Sequence, residues 1–381
     1  MRYEFMISGY DLLFGASICV GLTFSLLLLL VRRNNWVANQ WLGLIVLTIV
    51  LWLVWALAID INLNRYVVHW SWLPLQYSLT IGPLLYSYVR TLTQSLRHFK
   101  PQDLLHFSPF LVEQGVHLGQ VLESYQRHIA TYNTIVFETF NPILQVASIG
   151  SVIVYIVKCL RLLRAFDQAL PHEQSDVYRY QSKWLQRLLI GFGLLWLVWI
   201  PFIAVDYFFY RYQLPVVSYY PLYLLLAFVT IWMGVEAFLR PELILVELSP
   251  IKRLPTLSKD ESDQLLKATN WLRGELETNL FYKDASLTLA SLAKALQITP
   301  HELSRIINQG TGKNFNDLIN EYRVKEVIRK MQDPTYQRMT LQGIAYESGF
   351  NSKSTFNRTF KQLTNQSPLE YQKSQKRAPN L

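Results

Sequence analysis

Cysteine is almost missing from this chain: Cys19 and Cys159 are the only two in 381 residues. Both sit in apolar runs far apart in sequence, which excludes a disulfide framework and leaves no metal-ligand spacing. They read as small hydrophobes. Catalytic patterns are missing as well. No nucleophile–base pair, Gly-rich phosphate cradle or histidine-kinase pattern occurs, so an enzyme is not expected, and neither a cofactor nor a metal is implied. Charge is scarce, at 17% of residues, and unevenly placed: residues 1–250 hold 16 Lys+Arg and 14 Asp+Glu, whereas 251–381 hold 20 and 13. Tryptophan gives out in the same region, since of 11 only Trp271 follows residue 241. The front of the chain is therefore apolar and aromatic, and the back is polar and basic, a balance that suits a polyanion such as DNA or, equally, solubility and contact with anionic lipid beside a membrane.

Apolar stretches near the ~20 residues needed to cross a bilayer recur through residues 1–240. They predict a seven-helix transmembrane bundle, with spans near 9–31, 41–60, 71–90, 104–122, 140–160, 188–208 and 219–239. Twelve basic residues fall on one side of these spans: Arg32, Arg33, Arg90, Arg97, Lys100, Lys158, Arg161, Arg164, Arg179, Lys183, Arg187 and Arg240. Four fall on the other: Arg2, Arg65, Arg127 and Arg211. Lys/Arg-rich short loops face the cytoplasm, so the N-terminus is expected outside and the basic C-terminal region inside. The first apolar run ends in Arg32-Arg33 with no small-residue cleavage site before it, and reads as a retained span rather than a cleaved signal. The fourth span, with Glu113, Gln114, His117 and Gln120, is the least apolar. Leaving it on the surface would flip every later span.

Ionisable groups inside spans are costly and often functional. Asp11, Glu113, His117, Asp206 and Glu236 are the candidates here. A spacing of four puts Glu113 and His117 on one helical face, a candidate sensor pocket for an unknown ligand. The plainer alternative has these two pairing with each other while Asp11, Asp206 and Glu236 reach the interface. Tyr207-Phe208-Phe209-Tyr210 and Tyr219-Tyr220 read as headgroup-level anchors.

After Arg240-Pro241 hydropathy collapses, and residues 241–281 read as a connector. Ser258 with Glu261 resembles a capping box opening a helix to about Asn279. Its face Leu265, Thr269, Leu272, Leu276 would pack on the helices C-terminal to it, or pair with a second copy. From Leu287 the pattern is legible turn by turn. Leu289, Leu292, Ala293 and Leu296 form an apolar stripe. Thr299 caps a helix starting at Pro300 that buries Leu303, Ile306 and Ile307. A longer helix runs from about Phe315 to Met331. Leu341, Ile344 and Ala345 then restart the motif, Gly349 permits a left-handed turn, and Ser352 caps a helix burying Phe356 and Phe360.

Residues 284–373 resemble the paired helix-turn-helix domain of the AraC/XylS family of bacterial transcription regulators. The resemblance rests on Leu292-Ala293, Leu303-Ser304-Arg305-Ile306-Ile307-Asn308, Gly312, Asn314-Phe315, Tyr322-Arg323-Val324 and Ile344-Ala345 before Gly349-Phe350. It continues through Phe356-Asn357-Arg358-Thr359-Phe360-Lys361 and Ser367-Pro368-Leu369-Glu370-Tyr371. It implies an all-α DNA-binding domain over 282–381 whose two recognition helices enter successive major-groove faces. It further implies base-edge contacts from His301, Ser304 and Arg305, and from Lys353, Ser354, Thr355 and Arg358. Asn357 and Lys361 lie on the same outer face as the second set. Asn308 stands where a basic residue is common, Asn365 replaces a frequent Gly, and Gln372 a frequent Arg. The implied partners are double-stranded promoter DNA and RNA polymerase, with a homodimer as a further candidate. Two recognition helices per chain also make a monomer viable on DNA.

The whole sequence therefore describes a one-component transcription regulator held in the bacterial cytoplasmic membrane, with the bilayer around its front and DNA at its back. A rival from another class is a membrane receptor or transporter-like protein whose C-terminal domain is a protein-interaction module. A variant is proteolytic release between Pro241 and Pro255.

Overall fold

The computed structural model describes residues 9–32, 35–63, 66–67, 69–93, 101–177, 181–210, 214–239 and 259–377. Among these every regular element is helical, apart from one isolated antiparallel bridge between Gln174 and Thr288. The chain divides into two compact units: Met1–Arg164 with Ser182–Leu245, and Ala165–Gln181 with Val246–Leu381. The short 165–181 segment, which the sequence places in the apolar half, thus belongs to the C-terminal unit.

The first unit contains α1 (Gly9–Leu30), α2 (Trp36–Asp60), α3 (Ile81–Thr93), α4 (Ser108–Arg127), α5 (Ile135–Glu173), α6 (Lys183–Val205) and α7 (Tyr220–Leu239). The last turns of α5 pass into the second unit. Helix α2 is central, packing on α1, α3 and α7 around Leu42, Ile45, Leu85, Phe192 and Tyr220. The outside is apolar too: α1 buries Phe14 and Leu28 and exposes Leu12, Leu13, Leu26 and Leu30.

Among the described residues five helical stretches, not seven, are long and apolar enough to cross a membrane: Gly9–Leu30, Trp36–Asp60, Ile135–Glu173, Lys183–Tyr210 and Val217–Glu236. The expected spans at 71–90 and 104–122 fall short for separate reasons. In the first, Pro74 disfavours helical backbone at the residue before it, and Leu73 is extended (φ −67°, ψ 129°). The segment runs as a 3-10 turn (Trp70–Trp72), an extended stretch and a second 3-10 turn (Ser78–Thr80) before the 13-residue α3 begins. The second is a regular 20-residue helix, α4, whose polar stripe lowers its hydropathy. Tyr219 and Tyr220 also depart from expectation. They turn inward rather than anchoring at a surface, whereas Phe208 and Phe209 are 74% and 80% exposed.

The second unit contains α8 (Lys259–Asn279), α9 (Leu289–Ala295), α10 (Pro300–Thr311), α11 (Phe315–Gln332), α12 (Leu341–Glu347), α13 (Lys353–Thr364) and α14 (Pro368–Arg377). Side chains mark the starts. Thr288 and Ser291 form a reciprocal capping box on α9; Thr299, Asn314, Thr340 and Ser352 each accept a backbone N–H at the start of α10 to α13. Ser258, the expected cap of α8, lies outside the described residues. Helix α8 buries Leu265, Leu272 and Leu276 against Leu292, Leu303 and Ile306, so its apolar face packs on α9 and α10 rather than standing free. Helix α11 serves two cores, giving Phe315, Leu318, Ile319 and Tyr322 to the first and Val324 and Val327 to the second. Asn365 ends α13 in the left-handed region (φ 58°), a conformation short polar side chains tolerate.

Two glycines give opposite expectations. Gly349 has φ +96°, and a Cβ there would lie 2.2 Å from the Tyr282 carbonyl oxygen; Gly274, inside α8, has open space around it. Gly349→Ala is expected to destabilise the second unit by about 2–4 kcal/mol, and Gly274→Ala to stabilise it by roughly 0.5–1 kcal/mol. Hydrogen exchange of the full chain across 265–279 and 344–360 reads both.

Candidate functional site

Helices α10 and α13 each carry twelve residues, about 18 Å of helix. On α10, Leu303, Ile306 and Ile307 are buried, while His301 and Arg305 are exposed and Ser304 half-buried. The Asn308 amide donates to Ser304 Oγ at 3.1 Å, fixing the latter's orientation. On α13, Lys353, Ser354, Asn357, Arg358 and Lys361 are all exposed. Lys353, Asn357 and Lys361 recur every four residues along one ridge, with Ser354 and Arg358 on the next. Thr355, expected among the base contacts, is 2% exposed. It falls on the buried stripe Thr355, Phe356, Thr359, Phe360, and its hydroxyl donates to the Asp176 carboxylate at 3.3 Å.

Between the helix pair α9–α10 and the pair α12–α13 lies Arg323 of α11, 1% exposed. Its Nε donates to the Tyr282 carbonyl at 2.8 Å, and one terminal nitrogen donates to the Asp284 carbonyl at 2.8 Å and to Ser175 Oγ at 3.1 Å. Burial pushes this guanidinium down to about 10, with Asp176 and Asp284 pulling the other way. Ser175 and Asp176 belong to the segment directly after α5. The Ser175 carbonyl accepts from the Asn316 and Asn320 amides at 2.8 and 3.3 Å, and its hydroxyl donates to the Leu287 carbonyl at 2.6 Å. Sequence reasoning missed this docked segment. The signal lay on the receiving side: Asn316, Asn320 and Arg323 are spaced i, i+4, i+7 on a helix that is otherwise core, and a buried polar ridge requires partners.

In the first unit, α4 presents Glu113, His117, Gln120 and Ser124 at i, i+4, i+7 and i+11. This stripe runs along the unwound backbone before α3. The Glu113 carboxylate accepts from the backbone N–H groups of Ser78 and Leu79 (2.9 and 3.1 Å) and from the Ser78 hydroxyl (2.7 Å). His117 Nε2 lies 3.1 Å from the Trp72 carbonyl, and Trp72 Nε1 donates to Ser124 Oγ at 3.0 Å. Glu113 and His117 therefore bond to the unwound segment rather than to each other. Both line a cavity of about 420 Å³ together with Asp60, Trp199, Asp206 and Tyr223.

Residues 292–374 match the family model described as a helix-turn-helix domain. An uncharacterized HTH-type transcriptional regulator of Staphylococcus aureus (strain COL) is 32% identical over 91 residues, which make up 24% of this chain and 12% of that protein. YdeC of Bacillus subtilis (strain 168), also described as an uncharacterized HTH-type transcriptional regulator, is 28% identical over 113 residues, 30% of this chain and 35% of that protein. The chain thus spans about an eighth and a third of these relatives' lengths. No solved structure matches.

Arg323→Met would leave the Tyr282 and Asp284 carbonyls without their buried donor, and is expected to cost about 2–4 kcal/mol. Arg323→Lys should recover little, because an ammonium cannot reproduce the fork. Hydrogen exchange over 281–288 in the full chain measures both, and wild-type protection in Arg323→Met would refute the role.

Proposed function

We propose that this protein is a one-component transcription regulator embedded in the bacterial cytoplasmic membrane, reading promoter DNA with α10 and α13 and sensing a ligand in the cavity beside α4. His301, Ser304, Arg305, Lys353, Ser354, Asn357, Arg358 and Lys361 are the proposed DNA contacts. Arg358 is assigned to a base edge and the lysines to phosphates. RNA polymerase is the proposed neighbour at the promoter, and a second copy of the chain remains a candidate partner.

The membrane reading rests on the five apolar helices and their apolar exterior. We extend it to seven crossings, with 70–93 as a broken span and α4 as its partner. Irregular backbone survives at membrane depth only where protein or a cavity satisfies it, and the α4 stripe supplies those bonds. Phe107 stacks near Trp41, at the start of both α4 and α2. His117 shares the cavity with Ile59 and Asp60 at the far end of α2. Helix α4, at 20 residues, has the length a crossing needs. With an odd number of crossings, the basic C-terminal unit lies in the cytoplasm.

One observation carries the link between sensing and reading. Helix α5 contributes Phe137, Asn141 and Gln145 to the cavity wall, and the residues just past its other end are the ones seated on Asn316, Arg323 and Thr355. A change at the cavity can thereby reach the helices that would hold DNA.

Chromatin immunoprecipitation of the intact tagged protein, with membrane and soluble fractions blotted alongside, tests the proposal. Discrete peaks from whole, membrane-bound protein are expected, lost in Lys353→Ala/Arg358→Ala. In vitro, Arg358→Ala should cost about 1–3 kcal/mol on the specific site alone; equal weakening on every sequence would demote Arg358 to a phosphate contact. A flat dependence of affinity on salt would favour the interaction-module reading instead. Glu113→Gln with His117→Ala should abolish signal-dependent transcription of the genes so found. Unchanged regulation would remove the cavity from the mechanism.

A further inference from the structure

We propose that the cavity in the first unit binds an organic cation: an ammonium or similar positively charged group on a compact apolar or aromatic body. The inference rests on the sensor reading of this cavity and names the chemistry of what it takes.

Two kinds of wall meet there. One is aromatic, with Trp52, Trp55, Trp199, Tyr219 and Tyr223 along it. Trp52 and Trp199 have ring centroids 5.2 Å apart, and Trp199 and Tyr223 5.3 Å apart, so the rings brace one another as a fixed surface. The negative face of an indole or phenol ring attracts a cation, most strongly where water is excluded. The other wall is anionic. Asp60, Glu113 and Asp206 all line the cavity, and the described lining residues include neither Lys nor Arg. A buried negative charge calls for a partner.

The three carboxylates are not equally provided for. Glu113 is held by two backbone N–H groups and a hydroxyl. Asp206 accepts from the Leu214 N–H at 3.0 Å and the Tyr219 hydroxyl at 2.6 Å. Asp60 accepts from the Tyr220 hydroxyl at 2.5 Å and hydrogen-bonds Asp11, whose carboxyl lies 3.0 Å from the same hydroxyl. Two carboxyl groups in hydrogen-bond contact share a proton, so the pair keeps one negative charge at this end of the cavity, beside a single phenol hydroxyl.

A second feature points independently to a ligand. Gln120 is 6% exposed and lines the same cavity, and its side-chain amide has no hydrogen-bond partner among the described residues. Buried amides are seldom left so, and this one faces the space a polar part of the ligand would fill. The volume of about 420 Å³ suits a molecule the size of a substituted benzylammonium.

The test uses the full chain in lipid nanodiscs and three probes of closely similar shape: benzyltrimethylammonium, its uncharged carbon isostere neopentylbenzene, and the anion benzylsulfonate. Trp52, Trp55 and Trp199 make intrinsic fluorescence the readout. Saturable quenching by the cation is expected, at least about tenfold tighter than by the isostere, with none by the anion. Asp60→Asn and, separately, Asp206→Asn should each reduce the cation preference by about tenfold, the effect of one lost charge contact, while leaving the circular dichroism spectrum unchanged. If the isostere binds as tightly as the cation, the cavity is a ligand site but the cation assignment is overturned. If no probe saturates, the assignment is likewise overturned, and the sensor reading is judged separately by the transcriptional effect of Glu113→Gln with His117→Ala.

Discussion

A guanidinium shut away from water has to be surrounded by acceptors, and at Arg323 that requirement organises the C-terminal unit. The acceptors come from three places far apart in sequence: Tyr282 and Asp284 ahead of α9, Asn320 on α11 itself, and Ser175 after α5. Phe350, which opens the second motif, lies against the guanidinium at 5.9 Å. Each of these segments must hold its position for the charge to remain tolerable, since removing one partner of a buried charge costs more than the bond was worth. Arg is suited to this place because its planar fork donates in several fixed directions at once. The apolar cores on either side of Arg323 are separate. What fixes one motif relative to the other is this polar hub together with the rigidity of α11.

The same logic, with the roles of backbone and side chain exchanged, governs the first unit. Between Trp72 and Leu79 the backbone leaves regular helix and has donors and acceptors to place. Helix α4 answers with a carboxylate, an imidazole and a hydroxyl on one face. These residues are why α4 looks too polar for a spanning helix, and the unwound segment is why they are required. The two irregularities account for each other. The arrangement also borders space: Gln76, Tyr77 and Ser78 of the unwound segment and Glu113, His117 and Gln120 of α4 line the same cavity.

The parts legible from sequence were those written in local chemistry. Caps at Thr299 and Ser352, the left-handed turn at Gly349 and apolar stripes of period 3.6 announce the C-terminal helices residue by residue, because each acts within one turn of itself. The apolar helices were legible from composition. The broken segment was not, since averaging hydropathy over 71–90 hides the effect of Pro74. Thr355 came only with the family resemblance; the step of 100° per residue carries it onto the side of Phe356, away from the outer face of Lys353, Asn357 and Lys361. The docking of Ser175 and Asp176 was invisible in their own neighbourhood. Two small polar residues between helices resemble any loop, and only the ridge of Asn316, Asn320 and Arg323 on α11 hinted that something polar had to arrive.

On the proposed reading, that docking decides how a ligand in the cavity could matter to DNA. A ligand shifts an equilibrium only as far as it prefers one state over the other, so two distinct states are needed at the reading end. A set of buried hydrogen bonds supplies them, because it does not stretch gradually: the Ser175 carbonyl is either within reach of Asn316 and Asn320 or it is not. While Asp176 holds the Thr355 hydroxyl, the start of α13 has a carboxylate against it, at the end of the helix whose backbone N–H groups would otherwise meet a phosphate. Withdrawal of the segment would remove that negative charge and at the same time deprive Arg323 of part of its shell, changing both the affinity of α13 for a polyanion and the spacing of α13 from α10. The two effects have opposite consequences for binding: lost repulsion favours DNA, and lost rigidity opposes it. Their balance, rather than the presence of the motifs, would determine whether the signal activates or represses.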